Sequence, residues 1–223
     1  MQALDTAQLV ALAGAVGWAS GIRLYLVLLL TGLAGYLGWM ELPQGLHLLA
    51  NPVVLGASGF MVFVEFFADK IPGLDSLWDV VHAVIRSPAG AALAAGVFSA
   101  DSAAMSLVAA LVGGTLAGTS FAAKATSRAA INTSPEPFSN IGTSLVEDSL
   151  VPAGLWLAVA HPFVFLPLLA LVLVLSVWLI RLCWRFLTQL FARVARIFSG
   201  RADPGLPPAF TLKSPFSRND PHV

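Results

Sequence analysis

Residues 65–86 read EFFADKIPGLDSLWDVVHAVIR, and this stretch decides how the rest of the chain is read. It sets Glu65, Asp69, Asp75 and Asp79 beside Lys70, His82 and Arg86 in a chain of which only 11% is charged. Four of the twelve acidic side chains thus stand in one short run. The run begins inside an apolar segment, 53–68, so Glu65 and Asp69 fall at the end of what reads as a membrane span. Ionisable groups at such depth are costly and are retained where they face a protein interior or a water-filled path. The stretch therefore points to a membrane protein with a polar site.

Working outward, the composition agrees. The chain has 223 residues, 57% of them hydrophobic, and a mean hydropathy of +0.82. A soluble domain averages roughly 45 to 50% apolar residues. The expected fold is all-α, a polytopic transmembrane helical bundle with about five to seven membrane segments. Net charge is zero, yet Arg181, Arg185, Arg193, Arg196 and Arg201 cluster just after the last apolar run. That placement is juxtamembrane and excludes nucleic acid as a partner, because no basic face accompanies a soluble domain. The single cysteine, Cys183, excludes an internal disulfide and any cysteine-based metal site. The N-terminal apolar run lacks a basic flank and does not read as a cleaved signal peptide.

In chain order, 6–20 is a short Gly/Ala-rich apolar segment, either tilted or a half-helix broken at 17–21. Segment 22–39 is a full-length helix whose first turn carries Arg23, 40–51 is a loop, and 52–68 is the next span. Ile71, Pro72 and Gly73 break that helix. Asp75, Asp79, His82 and Arg86 then share one helical face, predicting an interfacial or re-entrant helix closed by Ser87 and Pro88. A second short apolar run, 89–100, precedes a span at 103–123 with Gly113, Gly114 and Gly118, small residues that allow close helix packing. A polar loop follows at 124–140, then spans at 141–160 and 163–180. The transmembrane domain is taken as 1–183, followed by a basic amphipathic helix at 184–199 and a disordered cytoplasmic tail at 200–223.

Two larger patterns emerge. With the C-terminus placed in the cytoplasm, Arg23, Lys70, Arg86, Lys124 and Arg128 all fall at cytoplasmic ends, while the opposite loops hold no Lys or Arg. The predicted localisation is a bacterial inner membrane, crossed several times. The order of short piece plus helix pair in 6–70 returns with opposite polarity in 88–160, as in the inverted repeats of many secondary transporters.

The candidate pathway residues are Arg23, Glu65, Asp69, Lys70, Asp75, Asp79, Arg86, Asn140, Glu147 and Asp148. Glu65 and Asp69 stand one helical turn apart and can share a cavity, pair with Arg23, or form a structural ion-pair knot with Lys70 and Arg86. Asn140, Ser144 and Glu147 or Asp148 can share one face of the next-to-last span as a second half-site, or serve only the helix dipole. Asp75, Asp79 and His82 mix metal-like ligands, but at helix spacing the signal is weak and a solvated face is favoured; whether any metal binds stays unknown. No nucleophile arrangement or phosphate loop is present, so no catalytic residue and no cofactor is expected.

Gly21-Ile22-Arg23, Glu65 with Ala68-Asp69-Lys70-Ile71-Pro72-Gly73-Leu74-Asp75, and Arg86-Ser87-Pro88-Ala89-Gly90 together resemble a family of bacterial integral-membrane proteins known only as a domain of unknown function. The similarity would cover roughly 9–180. It implies the membrane class and carries no activity. The functional expectation is a small transporter or channel-like protein for an ion, a small polar solute or a lipid head group. A membrane-embedded enzyme acting on a lipid-linked substrate, with carboxylates as acid and base, and a non-catalytic assembly factor are the alternatives. Expected partners are membrane lipids and the small ion or solute, and a homo-oligomer is compatible with the sequence.

Overall fold

A backbone surrounded by hydrocarbon must satisfy its own polar groups, and helices do so within one segment. The computed structural model describes residues 4–69, 71, 74–100, 102–133 and 137–198, with the side chains of 75, 76, 137 and 193–198 outside the description. Among these residues there are six α-helices and one 3-10 helix, and no strand. They are α1 (Thr6–Tyr36), the 3-10 helix Gln44–Ala50, α2 (Pro52–Ala68), α3 (Leu74–Val97), α4 (Ala103–Ile131), α5 (Pro137–Ala160) and α6 (Pro162–Phe198). Four of the helices are long and apolar enough to cross a membrane, or five when the 3-10 helix and α2, bent by 70°, count as one broken span. The chain divides into two units, Met1–Leu187 and Thr188–Val223, and the polar cluster and cavities described below lie in the first.

Local signals start these helices. Asp5 caps α1, accepting from the Gln8 backbone while the Gln8 side chain reaches back to the Asp5 amide. Asn51 caps α2 ahead of Pro52, and Ser102 caps α4. The 40–51 loop is not irregular throughout, since it winds into the 3-10 helix, where His47 Nε2 donates to the Leu42 carbonyl.

The position that organises the unit is Arg23, whose backbone (φ −142°, ψ 78°) is not helical although it lies within α1. Leu12 from the first half of α1 and Thr31 and Ala34 from the second line one cavity with Leu155 and Val159 of α5. An uninterrupted helix would hold residues 12 and 31 about 28 Å apart. The chain therefore turns back at Arg23. Residues 6–22 and 24–36 run antiparallel, and the break falls just beyond the 17–21 window read from sequence.

The first half of α1 is the core of the unit, with every residue from 11 to 24 buried. A helix covered on all sides needs no apolar stripe, only side chains small enough for its neighbours to approach. Gly17 meets that need: a Cβ there would lie 2.7 Å from the Gly113 Cα of α4. A Cβ on Gly90 of α3 would lie 2.6 Å from the Ala117 Cβ and 3.2 Å from the Gly17 carbonyl oxygen. Three helices thus cross at three glycines. Phe165 and Leu169 of α6 and Gly154 of α5 close the other side around Gly14 and Trp18.

Two sequence readings are corrected here. Pro88 does not end a helix: α3 runs through it, so 74–86 and 89–97 are one element. Residues 124–131 are not loop, because α4 continues to Ile131. The basic stretch after Ile180 lies in the same helix, as α6 extends to Phe198. Proline and polar residues are tolerated inside such helices where neighbouring side chains satisfy the backbone. The tail at 200–223 lies outside the described residues.

Candidate functional site

The break at Arg23 gathers the polar residues. Where a helix half ends, its last carbonyls lack intrahelical partners and carry partial negative charge. Two cations fill that end: Arg86 Nη1 donates to the Gly21 carbonyl at 3.2 Å, and Lys124 Nζ donates to the Ile22 carbonyl at 3.2 Å. Ser120 Oγ donates to the Trp18 carbonyl one turn earlier. Gly21 has no room for a side chain, as a Cβ would collide with the Ala117 carbonyl and the Ser120 hydroxyl. The backbone itself is thus part of the polar cluster.

Asp69, at the C-cap of α2 and fully buried, is the hub. Its Oδ2 lies 2.7 Å from Arg23 Nη1 and 2.9 Å from Lys124 Nζ, and its carbonyl accepts from Arg128 Nη1 at 2.8 Å. Arg23 also reaches α5, with Nη2 2.9 Å from Asp148 Oδ1 and 2.7 Å from Ser144 Oγ. Arg128 donates to Glu147 Oε2 at 3.0 Å, and Lys124 stands 3.4 Å from the same oxygen. On the other side, Arg86 bonds Glu65 Oε1 at 2.8 Å and Asp79 Oδ1 at 3.1 Å, and lies over the Phe121 ring. Among the described residues the cluster sets four cations, Arg23, Arg86, Lys124 and Arg128, against five carboxylates, Glu65, Asp69, Asp79, Glu147 and Asp148.

The candidate residues thus separate. Arg23, Glu65, Asp69, Asp79, Arg86, Glu147 and Asp148 come together. Asn140 is buried at the start of α5 and donates to Asn132 Oδ1 at 2.7 Å, a contact apart from the ion pairs above. Lys70 and the side chain of Asp75 lie outside the described residues. The Asp79 and His82 face is not solvated, since each is 4% exposed. His82 Nδ1 faces the Trp78 carbonyl at 2.9 Å, so it carries the proton, and Nε2 meets the Tyr25 hydroxyl at 3.0 Å. Among the described residues no three His, Cys, Asp or Glu side chains are placed to hold a metal ion.

Lys124 and Arg128 were missed by sequence reasoning, which placed them in a loop. The signal was present: Gly113, Ala117, Ser120, Lys124 and Arg128 recur at three- and four-residue spacing and form the buried face of α4.

One cavity adjoins the cluster, and a second, separate one lies farther along the second half of α1 and α5. The inner one, about 360 Å³, is lined by Arg23, Leu26, Glu65 and Asp148, with Phe66 of α2 and Leu145 of α5 at its rim. The outer one, also about 360 Å³, is apolar and is lined by Leu30, Thr31, Ala34, Pro152 and Trp156 among others. Each wall simply advances by about one turn, from Leu26 to Leu30 and from Ser149 to Pro152.

The family model described as Domain of unknown function (DUF4126) matches residues 10–182. No curated protein and no solved structure matches the chain.

Proposed function

We propose that this chain, which belongs to the family of unknown function whose model spans most of its length, is a small helical membrane transporter or channel-like carrier. The observation that carries this reading is the cavity lined by Arg23, Glu65 and Asp148, with a separate apolar cavity farther along α1 and α5 that is lined by Trp39 and Ala160 among others. Ionisable residues kept at membrane depth and bordering a cavity mark solute paths more often than scaffolding. The wall formed by α2 is lightly packed, burying only Ser58, Glu65 and Ala68, as suits an element that moves during a transport cycle.

Further support comes from the order of crossings. Segments 6–22, 24–36 and 52–68 run toward, away from and toward the charged end, and 89–97, 103–124 and 148–160 run away, toward and away. This alternation favours an inverted repeat. The concentration of Lys and Arg at one end favours a cytoplasmic placement of that end, in a bacterial inner membrane. A second reading, a non-catalytic assembly factor, draws on the ion pairing of every cation in the cluster.

Flux decides between them. The full chain reconstituted in liposomes is assayed with a pH-sensitive dye, a cation-sensitive dye and leaflet exchange of a fluorescent phospholipid. Transport predicts that at least one signal rises above protein-free vesicles and falls when Ala34→Trp fills the groove. Three flat signals from correctly folded protein would leave the assembly reading.

A further inference from the structure

The cations of the first unit divide by where they stand. Among the described residues, Arg23, Arg86, Lys124 and Arg128 are buried and hold the carboxylates of the cluster. Arg181 and Arg185 of α6 are exposed. They are four residues apart, so they lie one above the other on a single helical face. The whole of α6 carries no Asp or Glu, and its charge is therefore of one sign.

Depth and surroundings say what that charge meets. From Pro162 to Arg181 the helix rises about 28 Å, close to the thickness of a hydrocarbon core of about 30 Å. With Pro162 at one boundary of the core, Arg181 reaches the other, and Arg185 stands one turn farther, at the depth of the lipid phosphates. The same face continues back into the core through Trp178, Val174 and Leu171, in alternating steps of three and four residues, and all three are exposed. Turned the other way, Leu169, Leu173, Ile180 and Cys183 are buried or half-buried. The outward stripe thus runs for about 15 Å from Leu171 to Arg181, apolar at first and ending in an indole and two guanidiniums.

That sequence of groups matches a phospholipid laid along the helix. An acyl chain packs on Leu171 and Val174, and the Trp178 ring takes the interfacial level where aromatic side chains collect. The guanidiniums meet the phosphate, whose oxygens fit their fork of donors. A zwitterionic head group brings its own cation to this contact, whereas an anionic one leaves its phosphate to the arginines. Each arginine near an anionic lipid surface is worth about a fivefold gain in affinity.

We propose that the outward face of α6 binds an anionic phospholipid, its head group at Arg181 and Arg185 and one acyl chain along Leu171 and Val174. The lipid is a bound neighbour of the protein, and its binding does not depend on transport.

The test is a comparison of head groups. Delipidated full-length protein is offered phosphatidylglycerol and phosphatidylcholine of matched chains, and retained lipid is read by native mass spectrometry. The wild-type chain is expected to hold phosphatidylglycerol at least fivefold more tightly, with a preference that shrinks as ionic strength rises. Arg181→Gln combined with Arg185→Gln is expected to bring the ratio close to one. Should that double variant unfold, the two single variants carry the measurement, each lowering the ratio at least twofold. Arg193→Gln combined with Arg196→Gln, farther along α6, is expected to keep the preference. Equal binding of the two lipids by the wild-type chain would overturn the proposal. So would a preference that survives the loss of Arg181 and Arg185, or one that vanishes with Arg193 and Arg196 instead.

Discussion

At the scale of single residues, Asp69 is the most consequential side chain, since two cations share its Oδ2 and a third holds its carbonyl. Asp69→Asn keeps the shape but removes the carboxylate that Arg23 and Lys124 share, leaving Arg23 to Asp148 and Lys124 to Glu147, and breaking such a buried pair costs up to about 3 to 5 kcal/mol. Thermal unfolding in detergent should show a large fall in Tm. Asp148→Asn also faces Arg23, but from a position that is 25% exposed and so less desolvated, and its fall should be smaller. Equal falls would mean that burial does not grade these pairs. The charged run at 65–86 and Arg23 were legible in the sequence because ionisable residues stand out against an apolar background. The burial of Asp79 and His82 was not: helical spacing says which residues share a face, and not whether that face meets water or the carbonyls of another helix.

At the scale of elements, the packing of α1, α3 and α4 depends on Gly17, Gly90 and Gly113. Gly17→Leu would force at least four heavy atoms into backbone, and loss of monodisperse protein on size-exclusion chromatography is the expected outcome. Gly56 of α2 is the internal control. A Cβ there meets nothing within 4 Å, so Gly56→Ala should leave the protein as stable or raise its stability by up to about 1 kcal/mol. A collapse at Gly56 would show that α2 packs against something outside this chain. Segment order and the reversal near Gly21 could be read from hydropathy and glycine content. The continuity of α3 through Pro88 could not, because a proline breaks a helix only when the freed carbonyl and the bend find no accommodation, and that depends on neighbours the local sequence does not name.

At the scale of the whole molecule, Arg23, Arg86, Lys124 and Arg128 lie at one end of the first unit, and the placement of that end is open to a direct measurement. In a Cys183→Ser background, Glu41→Cys and Thr133→Cys report the two ends, both at exposed positions. A membrane-impermeant thiol reagent added to intact cells should label position 41 and spare position 133. The reverse pattern would invert the topology. The turn at Arg23 also has a consequence in time. The chain is made from its N-terminus, so the guanidinium emerges long before its partners: Ser144 follows it by 121 residues. At about 5 to 20 residues per second that interval is roughly 6 to 24 s. Until Asp69 of α2 follows, well before Ser144, the first hairpin has a positive tip that its own two arms cannot neutralise. A nascent chain arrested before α2 therefore carries at its tip a cation whose carboxylate partner has not yet been made.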